Sequence, residues 1–319
     1  MTKKILINDG ISEIGKNQLK ESKFNVIDEH VEQDKLIDFI NNEKISAIIV
    51  RSATKIRKDI IDNCPSLELI GRGGVGMDNI DVEYAKNKNI HVINTPNASS
   101  SSVAELVFAH LFSMARKIYH SNRTMQLEGD LNFKKLKKQY SNGLELKGKT
   151  IGIIGFGRIG QEVAKLGLGL GMDVKFYDPH IKIQKITIDF YNKKTIDFEL
   201  EKTDFSELLS ESDILTVHVP KQKEPLINKK ELETMKKGSF IINTSRGGVI
   251  NETDLIDKLN KRHINCAALD VYENEPNPKL ELLMNEYISL SPHIGASTLE
   301  AQNRIGLELA EQIKKLLNG

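Results

Sequence analysis

The chain has 319 residues, of which 39% are apolar and 28% are charged, and its net charge is +1. This length suits about two domains with sizeable cores. The small net charge excludes a broad nucleic-acid surface, which needs a basic face. No apolar stretch approaches the ~20 residues of a membrane span, and the N-terminus has no secretory apolar segment. We therefore expect a cytoplasmic globular protein without a membrane or nucleic-acid partner.

Short apolar runs alternate with amphipathic segments along the chain. Examples are KILIND at 4–9, AIIV at 47–50, TIGIIG at 150–155 and SFIINT at 239–244. These runs are rich in Ile and Val and do not alternate strictly, which indicates strands buried on both faces of a parallel sheet. The segments between them have helical spacing. The predicted fold class is therefore α/β with two doubly wound parallel sheets.

The alternation breaks twice, and these breaks suggest the domain boundaries. Residues 99–120 read as a long helix, with Ser102 and Glu105 at capping-box spacing. Residues 121–147 lack a clear period, and residues 296–319 form one amphipathic pattern. We predict a first domain at 1–98, a second at 99–295, and a C-terminal helix at 296–319 that returns to the first domain.

A glycine loop with the sequence GFGRIG occupies residues 155–160, between a predicted strand and a predicted helix. Gly155 permits a tight turn, Gly157 lets the backbone approach a pyrophosphate, and Gly160 allows close packing of helix and strand. The next strand ends in Asp178, where a dinucleotide fold places the acid that binds the ribose hydroxyls. The pattern predicts bound NAD rather than NADP, because a carboxylate repels a 2′-phosphate. The alternative is a turn followed by an ordinary strand-end Asp.

Polar residues follow three later strands, in NTSRGG at 243–248, DVYENEP at 270–276 and SPHIGAST at 291–298. Ligands of open α/β sheets bind beyond the carboxyl ends of strands. A histidine can take the proton of a hydroxy acid while its carbon loses hydride, a carboxylate can fix the histidine tautomer, and an arginine can hold the substrate carboxylate. Each of these residues could alternatively be part of an ordinary surface turn.

These motifs, in this order and over almost the whole chain, resemble the D-2-hydroxyacid dehydrogenase family. The resemblance implies a Rossmann-type NAD domain inserted into a flavodoxin-like substrate domain, and a homodimer with an arm near 121–147. It implies catalytic roles for Arg246, Glu275 and His293. It implies cofactor contacts from the glycine loop and from strand ends: Val75, Gly155, Gly157, Arg158, Ile159, Gly160, Asp178, His218, Val219, Pro220, Thr244, Ser245, Asp270, His293, Gly295 and Ala296.

Within that family, VRSATKIR at 50–57 and GRGGVGMDNID at 71–81 resemble the D-3-phosphoglycerate dehydrogenases, which act in serine biosynthesis. The implied substrate is a small phosphorylated hydroxy acid, whose carboxylate and phosphate need cations. The implied substrate contacts are Arg51, Ser52, Arg72, Gly73, Gly74, Asn97, Arg246 and His293. Lys55, Arg57 and Lys58 read instead as the start of an exposed helix.

Some features depart from the family pattern. The chain stops at Gly319, so we expect no serine-binding regulatory domain, and segments 181–203 and 218–230 are atypical. Cys64 and Cys266 lack metal-ligand spacing, so we expect core thiols, no metal and no disulfide. The rival interpretations are another D-2-hydroxyacid dehydrogenase, of the glyoxylate, hydroxypyruvate or D-lactate type, and an NAD-sensing corepressor without turnover.

Overall fold

The computed structural model describes residues 2–317, and these fall into two compact units. The first unit comprises Met1–Ser102 and Ala296–Gly319, and the second comprises Val103–Gly295. The boundary expected after residue 98 lies just before the observed one. The last part of the predicted C-terminal helix, residues 318 and 319, lies outside the described residues.

The first unit begins with five parallel strands joined by helices. The strands lie in the order β2-β1-β3-β4-β5, which is the flavodoxin-like order that we predicted. The elements are β1 (Lys4–Ile7), α1 (Glu13–Glu21), β2 (Asn25–Asp28), α2 (Leu36–Glu43), β3 (Ile45–Val50), α3 (Lys58–Asn63), β4 (Leu69–Arg72), α4 (Val82–Asn87) and β5 (His91–Asn94).

Consecutive residues of β1 show why this sheet is parallel and covered on both faces. Ile5, Leu6 and Ile7 are all buried, although successive side chains of a strand point to opposite faces. Leu6 packs into one core cluster, while Ile5 and Ile7 pack into another. The continuous apolar runs of the sequence therefore reflect helices on both faces of the sheet.

The second unit contains a six-stranded parallel sheet in the order β13-β12-β11-β10-β6-β7. The chain moves from β6 outward to β7 and then returns to β10, so the order reverses beside β6. Helix α5 (Ser100–Ala115) begins at the end of the first unit and continues into the second. The elements that follow are α6 (Ile118–Gln139), β6 (Thr150–Ile154), α7 (Arg158–Gly169), β7 (Asp173–Tyr177), β8 (Ile183–Asp189), β9 (Thr195–Glu201), α8 (Phe205–Glu211), β10 (Ile214–Val217), α9 (Lys229–Thr234), β11 (Ser239–Asn243), α10 (Glu252–Asn260), β12 (Ile264–Leu269), α11 (Leu280–Leu283) and β13 (Ile288–Leu290).

The atypical segment 181–203 is an antiparallel hairpin of β8 and β9. Ile183, Tyr191 and Ile196 are exposed on it, while Ile186 is buried against the main core of the unit. After the hairpin, Lys202 forms a single parallel bridge with Phe176 of β7. The hairpin thus follows β7 and Asp178 and leaves the six-stranded sheet intact.

The segment 99–147 differs from its sequence interpretation. The expected helix over 99–120 ends at Ala115, and Lys117 adopts a left-handed conformation before α6 begins. The spacing of Ser102 and Glu105 lies inside α5 rather than at its N-terminus, because α5 already starts at Ser100. The segment at 121–147 is helical as far as Gln139, with non-helical dihedral angles at Asn132.

Helix α6 lacks an apolar period because most of its apolar side chains are exposed. Leu127 is 74% exposed, Leu131 84% and Phe133 56%, whereas Leu136 is buried. The predicted homodimer and its arm stay predictions.

The final described helix, α12 (Leu299–Leu317), packs within the first unit. Ile305, Leu309 and Ile313 are buried in the same cluster as Ile5 and Ile7. Gly15 of α1 and Gly306 lie so close that a Cβ on Gly15 would come 2.6 Å from the Cα of Gly306. Glycine at both positions therefore allows the two helices to touch through their backbones.

Candidate active site

The glycine loop joins β6 to α7 and gives each of its glycines a different constraint. Gly155 has a φ of +88°, and a Cβ there would come 2.5 Å from the carbonyl oxygen of His218. A Cβ on Gly160 would come 2.3 Å from the carbonyl oxygen of Gly155. A Cβ on Gly157 would meet nothing within 4 Å. Gly157 caps α7, so the space beside it adjoins free helix N–H groups that suit a phosphate.

Asp178 lies immediately after β7 and contacts the glycine loop. Its Oδ2 accepts a hydrogen bond of 2.8 Å from the Phe156 N–H. Its Oδ1 accepts from the N–H groups of His180 at 2.8 Å and Ile181 at 3.2 Å. A carboxylate has about four lone-pair sites, so it retains acceptor capacity for a ribose hydroxyl.

Two buried polar atoms, one just after β10 and one just after β11, lack hydrogen-bond partners among the described residues. Within residues 2–317, neither His218 Nδ1 nor Thr244 Oγ1 has a hydrogen-bond partner. His218 Nε2 lies 2.9 Å from Thr216 Oγ1, and burial lowers the pKa of His218 to about 3. Buried polar groups are normally paired, so these two atoms fit a site that receives a polar ligand.

The remaining predicted cofactor contacts of the second unit also lie near strand ends or helix starts. They are Arg158 and Ile159 at the start of α7, Val219 and Pro220 after β10, and Ser245 after β11. Val75 and Ala296 belong to the first unit. The Val75 carbonyl accepts from Asn94 Nδ2 at 2.7 Å, and that of Ala296 accepts from Gln302 Nε2 at 2.7 Å.

His293 and Glu275 form a hydrogen-bonded pair, with 2.8 Å between His293 Nδ1 and Glu275 Oε2. The other carboxylate oxygen of Glu275 accepts the Tyr272 N–H at 2.9 Å. Burial of the Glu275 carboxyl opposes its ionisation, but these two bonds and the charge of Arg246 outweigh burial and hold the pKa of Glu275 below its usual value. The Nε2 atom of His293 is then the nitrogen available for proton transfer.

Arg246 follows β11 in a loop that approaches the Glu275 loop closely. A Cβ on Gly247 would come 1.7 Å from the Tyr272 carbonyl oxygen, so only glycine fits there. The Arg246 carbonyl oxygen accepts from Asn243 Nδ2 at 2.9 Å, and an Arg246 guanidinium N–H donates to the Ser245 carbonyl at 2.6 Å. The structure therefore brings Arg246, Glu275 and His293 together, and their catalytic roles stay predictions.

Asp270 is fully buried, and its carboxylate binds the turn that contains His293. Oδ1 accepts from Ser291 Oγ at 2.6 Å and from the Ile294 N–H at 2.8 Å, and Oδ2 accepts from the Gly295 N–H at 2.9 Å. The contacts of Asp270 within the described chain are thus structural, and its implied contact with the cofactor stays a prediction.

The loop after β3 carries Arg51 and Ser52 and is held by Asp9 from the end of β1. Asp9 accepts hydrogen bonds from the Arg51 N–H at 2.6 Å, the Thr54 N–H at 3.1 Å and the Thr54 hydroxyl at 2.5 Å. Asn79 Nδ2 donates to the Arg51 carbonyl at 2.7 Å. Sequence reasoning missed Asp9 and Asn79, although Asp9 follows an apolar run just as Asp178 does.

The cations of the VRSATKIR segment divide into two kinds. Arg57 pairs with Asp81 at 2.9 Å and donates to the Asp78 carbonyl, which supports its interpretation as part of a helix start. Arg51 is half-buried, and within residues 2–317 its guanidinium has no carboxylate within ion-pair distance. Arg51 and Ser52 line a cavity of about 520 Å³, whose walls also include Asp9, Asp28 and Glu29.

The second predicted substrate segment follows β4. Arg72 is half-buried, and its guanidinium lies against Gly74, where a Cβ would come 1.6 Å from Nη1. The Gly73 N–H donates to the Val50 carbonyl at 2.9 Å. Asn97 is exposed in a turn before α5. The glycines thus leave room for the Arg72 side chain over the loop.

Three further features of the described residues concern membrane spans, metal sites and the two cysteines. None of the helices within 2–317 is long and apolar enough to cross a membrane. In the same range, no group of three or more His, Cys, Asp or Glu side chains could hold a metal ion. Cys64 is buried, and burial raises the pKa of its thiol to about 11. Cys266 is only half-buried, so the expectation of a core thiol was too strong there.

Comparison with known proteins identifies relatives over most of the chain. The family described as "D-isomer specific 2-hydroxyacid dehydrogenase, NAD binding domain" matches residues 108–295. The chain is 41% identical over 304 residues to hydroxypyruvate reductase of Thermotoga maritima, covering 94% of this chain and 93% of that protein.

Two further relatives extend the comparison. The chain is 39% identical over 318 residues to D-3-phosphoglycerate dehydrogenase of Methanocaldococcus jannaschii, covering 99% of this chain but 58% of that protein. The chain thus spans little more than half the length of that relative. The crystal structure of NAD-dependent formate dehydrogenase from Staphylococcus aureus in complex with NAD matches with a TM-score of 0.79 at 27% identity, covering 99% of this chain and 96% of that one.

Proposed function

Because the chain belongs to the D-isomer specific 2-hydroxyacid dehydrogenase family, we propose that it reversibly oxidises 3-phospho-D-glycerate to 3-phosphohydroxypyruvate with NAD. The observation that carries this proposal is Arg51, a half-buried guanidinium at the end of β3 without an ion-pair partner in the described chain. A substrate with both a carboxylate and a phosphate needs a cation besides Arg246. Hydrogen bonds to Asp9 hold the loop that carries Arg51 in place before any substrate binds.

The His293–Glu275 pair transfers the proton of the substrate hydroxyl. Glu275 occupies His293 Nδ1, so Nε2 accepts the proton of the substrate hydroxyl during oxidation and returns it during reduction. Arg246 binds the substrate carboxylate and lowers the energy of the negative charge beside the reacting carbon. Bound NAD supplies the hydride acceptor.

The glycine loop and Asp178 would hold that cofactor. The open space at Gly157 and the free N–H groups of α7 suit the pyrophosphate. The Asp178 carboxylate, fixed by Phe156, His180 and Ile181, suits the adenosine ribose and disfavours a 2′-phosphate. His218 after β10 and Thr244 after β11 offer polar atoms that have no partner within the described chain. These contacts support NAD over NADP.

The second candidate is reduction of hydroxypyruvate, which differs from the proposed product by the missing phosphate. The relative from Thermotoga maritima is a hydroxypyruvate reductase and matches nearly end to end. The acids that share the cavity with Arg51 also favour it, because Asp28 and Glu29 would repel a phosphate. Asp28 is paired with Lys16 at 2.6 Å, which weakens this repulsion.

The deciding experiment measures NADH oxidation with 3-phosphohydroxypyruvate and with hydroxypyruvate. We expect kcat/KM for the phosphorylated acid to be higher by at least ~10-fold, in line with one charge-assisted contact of about 1.5–3 kcal/mol. Arg51→Ala should remove most of that preference by raising KM for the phosphorylated acid alone.

Arg57→Ala is the matched control, since Arg57 lies in the same segment but is already paired with Asp81. It should leave the preference unchanged. Equal kcat/KM values for the two acids in the wild type would favour the hydroxypyruvate reductase. No turnover with either acid would favour the NAD-sensing corepressor.

A further inference from the structure

His110 is a buried histidine that no step of the proposed mechanism uses. It lies on α5 and is 6% exposed. Its Nδ1 is 2.8 Å from Ser289 Oγ on β13, and its Nε2 is 2.9 Å from Ser291 Oγ just after that strand. Both serines are themselves buried. The imidazole of His110 is therefore buried and forms hydrogen bonds through both nitrogens. A titratable group in such a position needs a structural or functional explanation.

The hydrogen-bond directions follow from Asp270. Its carboxylate can only accept, so the single hydroxyl proton of Ser291 points to Asp270 Oδ1 at 2.6 Å. Ser291 Oγ must then accept, which places a proton on His110 Nε2. Burial lowers the pKa of His110 despite the nearby Asp270, so the ring is neutral near pH 7. Its Nδ1 therefore accepts the hydroxyl proton of Ser289.

These hydrogen bonds continue from Asp270 to the backbone next to His293, the residue that transfers the proton. Asp270 accepts the N–H groups of Ile294 and Gly295, the two residues that follow His293. His293 has a φ of +55°, a left-handed conformation that costs a non-glycine residue on the order of 1 kcal/mol or more. Such a conformation persists only where neighbouring contacts enforce it. The two hydrogen bonds to Asp270 restrain the backbone that follows His293 and so support this conformation.

We propose that His110 is a positioning residue for proton transfer: through Ser291 and Asp270 it fixes the backbone turn that presents His293 to Glu275 and to the substrate. We call the bonds from His110 Nε2 to Ser291 and on to Asp270 the relay. The proposal rests on the proposed dehydrogenase activity, but it is independent of which 2-hydroxy acid is the substrate. The bond to Ser289 leads away from Asp270 and lies outside the relay.

Two serines provide a matched test, because both are buried to the same extent and both bond the same ring. Ser291→Ala breaks the relay and should lower kcat by about 10-fold to 100-fold, the scale of a small misplacement of a catalytic group. KM for NADH should change little. Ser289→Ala should keep kcat within about 3-fold of the wild type, a fraction of the ~1.4 kcal/mol that a tenfold change represents. Equal losses of kcat in the two variants would overturn the relay and leave only core packing.

Substitutions at His110 itself supply a rescue experiment. A glutamine amide nitrogen lies the same number of bonds from Cα as Nε2, whereas an asparagine amide matches Nδ1. His110→Gln should therefore retain the donor to Ser291 and most of kcat, and His110→Asn should behave like Ser291→Ala. Thermal unfolding confirms that each variant is folded. If His110→Asn keeps full kcat, or if Gln and Asn are equally impaired, the proposal is wrong.

Nitrogen NMR of the imidazole rings tests the relay without turnover. His110 should show a protonated Nε2 and an unprotonated Nδ1 at neutral pH. The ring signals of His293 should move in Ser291→Ala and stay in place in Ser289→Ala. The opposite tautomer, or unmoved His293 signals in both variants, would refute the relay. A wild type inactive on every 2-oxo acid would instead contradict the proposed function, while the NMR result still decides the relay.

Discussion

Gly160→Ala, compared with Gly157→Ala, tests whether Gly160 allows helix packing while Gly157 leaves room for the cofactor. The added Cβ would lie 2.3 Å from the Gly155 carbonyl oxygen and 3.2 Å from Ile153 Cγ2. Optimal contacts of carbon atoms are about 3.5 Å, so the Cβ would arrive roughly 1 Å too close to a backbone atom that cannot rotate away. Overpacking of this kind costs up to about 3 kcal/mol, and the higher helix propensity of Ala returns about 1 kcal/mol.

The expected net loss is about 2 kcal/mol of the free energy of unfolding, or a fall in Tm of roughly 4–8 °C for a unit of this size. Thermal unfolding of the protein without NADH, followed by circular dichroism, measures it. Gly157→Ala is the control, because its Cβ meets nothing within 4 Å. It should change Tm by less than half as much but weaken NADH binding by at least ~10-fold in a fluorescence titration, because the methyl group fills the approach of the pyrophosphate. An equal fall in Tm for both variants, or unchanged NADH affinity in Gly157→Ala, would refute this division of roles.

Two further predictions concern carboxylates. Asp178→Asn keeps an acceptor for the Phe156 N–H but removes the negative charge. The ratio of kcat/KM for NADH to that for NADPH should therefore fall by at least ~10-fold, or about 1.4 kcal/mol. The control is Asp173→Asn at the start of β7, which should leave this ratio unchanged. For Glu275, the folded pKa lies below its usual value, so its stabilisation is present above the unfolded pKa of about 4.3 and is lost as pH falls through the folded pKa. Urea unfolding at neutral pH should therefore show Glu275→Gln less stable than the wild type, and the difference should shrink in acid; a difference that grows in acid would show that the sign of the shift is wrong.

The parallel strands were predictable because burial on both faces imposes one simple pattern. Ile5, Leu6 and Ile7 all had to be apolar, and the same logic located β6, β10 and β11. The carboxyl ends of β11 and β13 then located Arg246 and His293. The β8–β9 hairpin was not predicted, because it mixes charged and apolar residues and only a few of its side chains, such as Ile186, reach the core.

Contacts between residues far apart in sequence were beyond prediction. Asp9 holds a loop that begins at residue 51, and His110 bonds Ser291, 181 positions away. Neither pairing leaves a local pattern. The capping-box interpretation of Ser102 failed because several consecutive serines offer alternative helix starts, and α5 begins at Ser100, two residues before Ser102. Polar residues at strand ends are the one local signal that would have included Asp9.

The close contact of Gly15 with Gly306 has a consequence for how the protein is made. The second unit is one uninterrupted stretch, so it can fold on the ribosome as soon as residues 103–295 have emerged. The first unit cannot complete its core at that time, because Ile305, Leu309 and Ile313 have not yet been translated. The sheet of β1 to β5 therefore has one face only partly covered, by α1, throughout synthesis of the second unit. A nascent chain arrested before α12 should bind chaperones through that face and release them once α12 reaches α1.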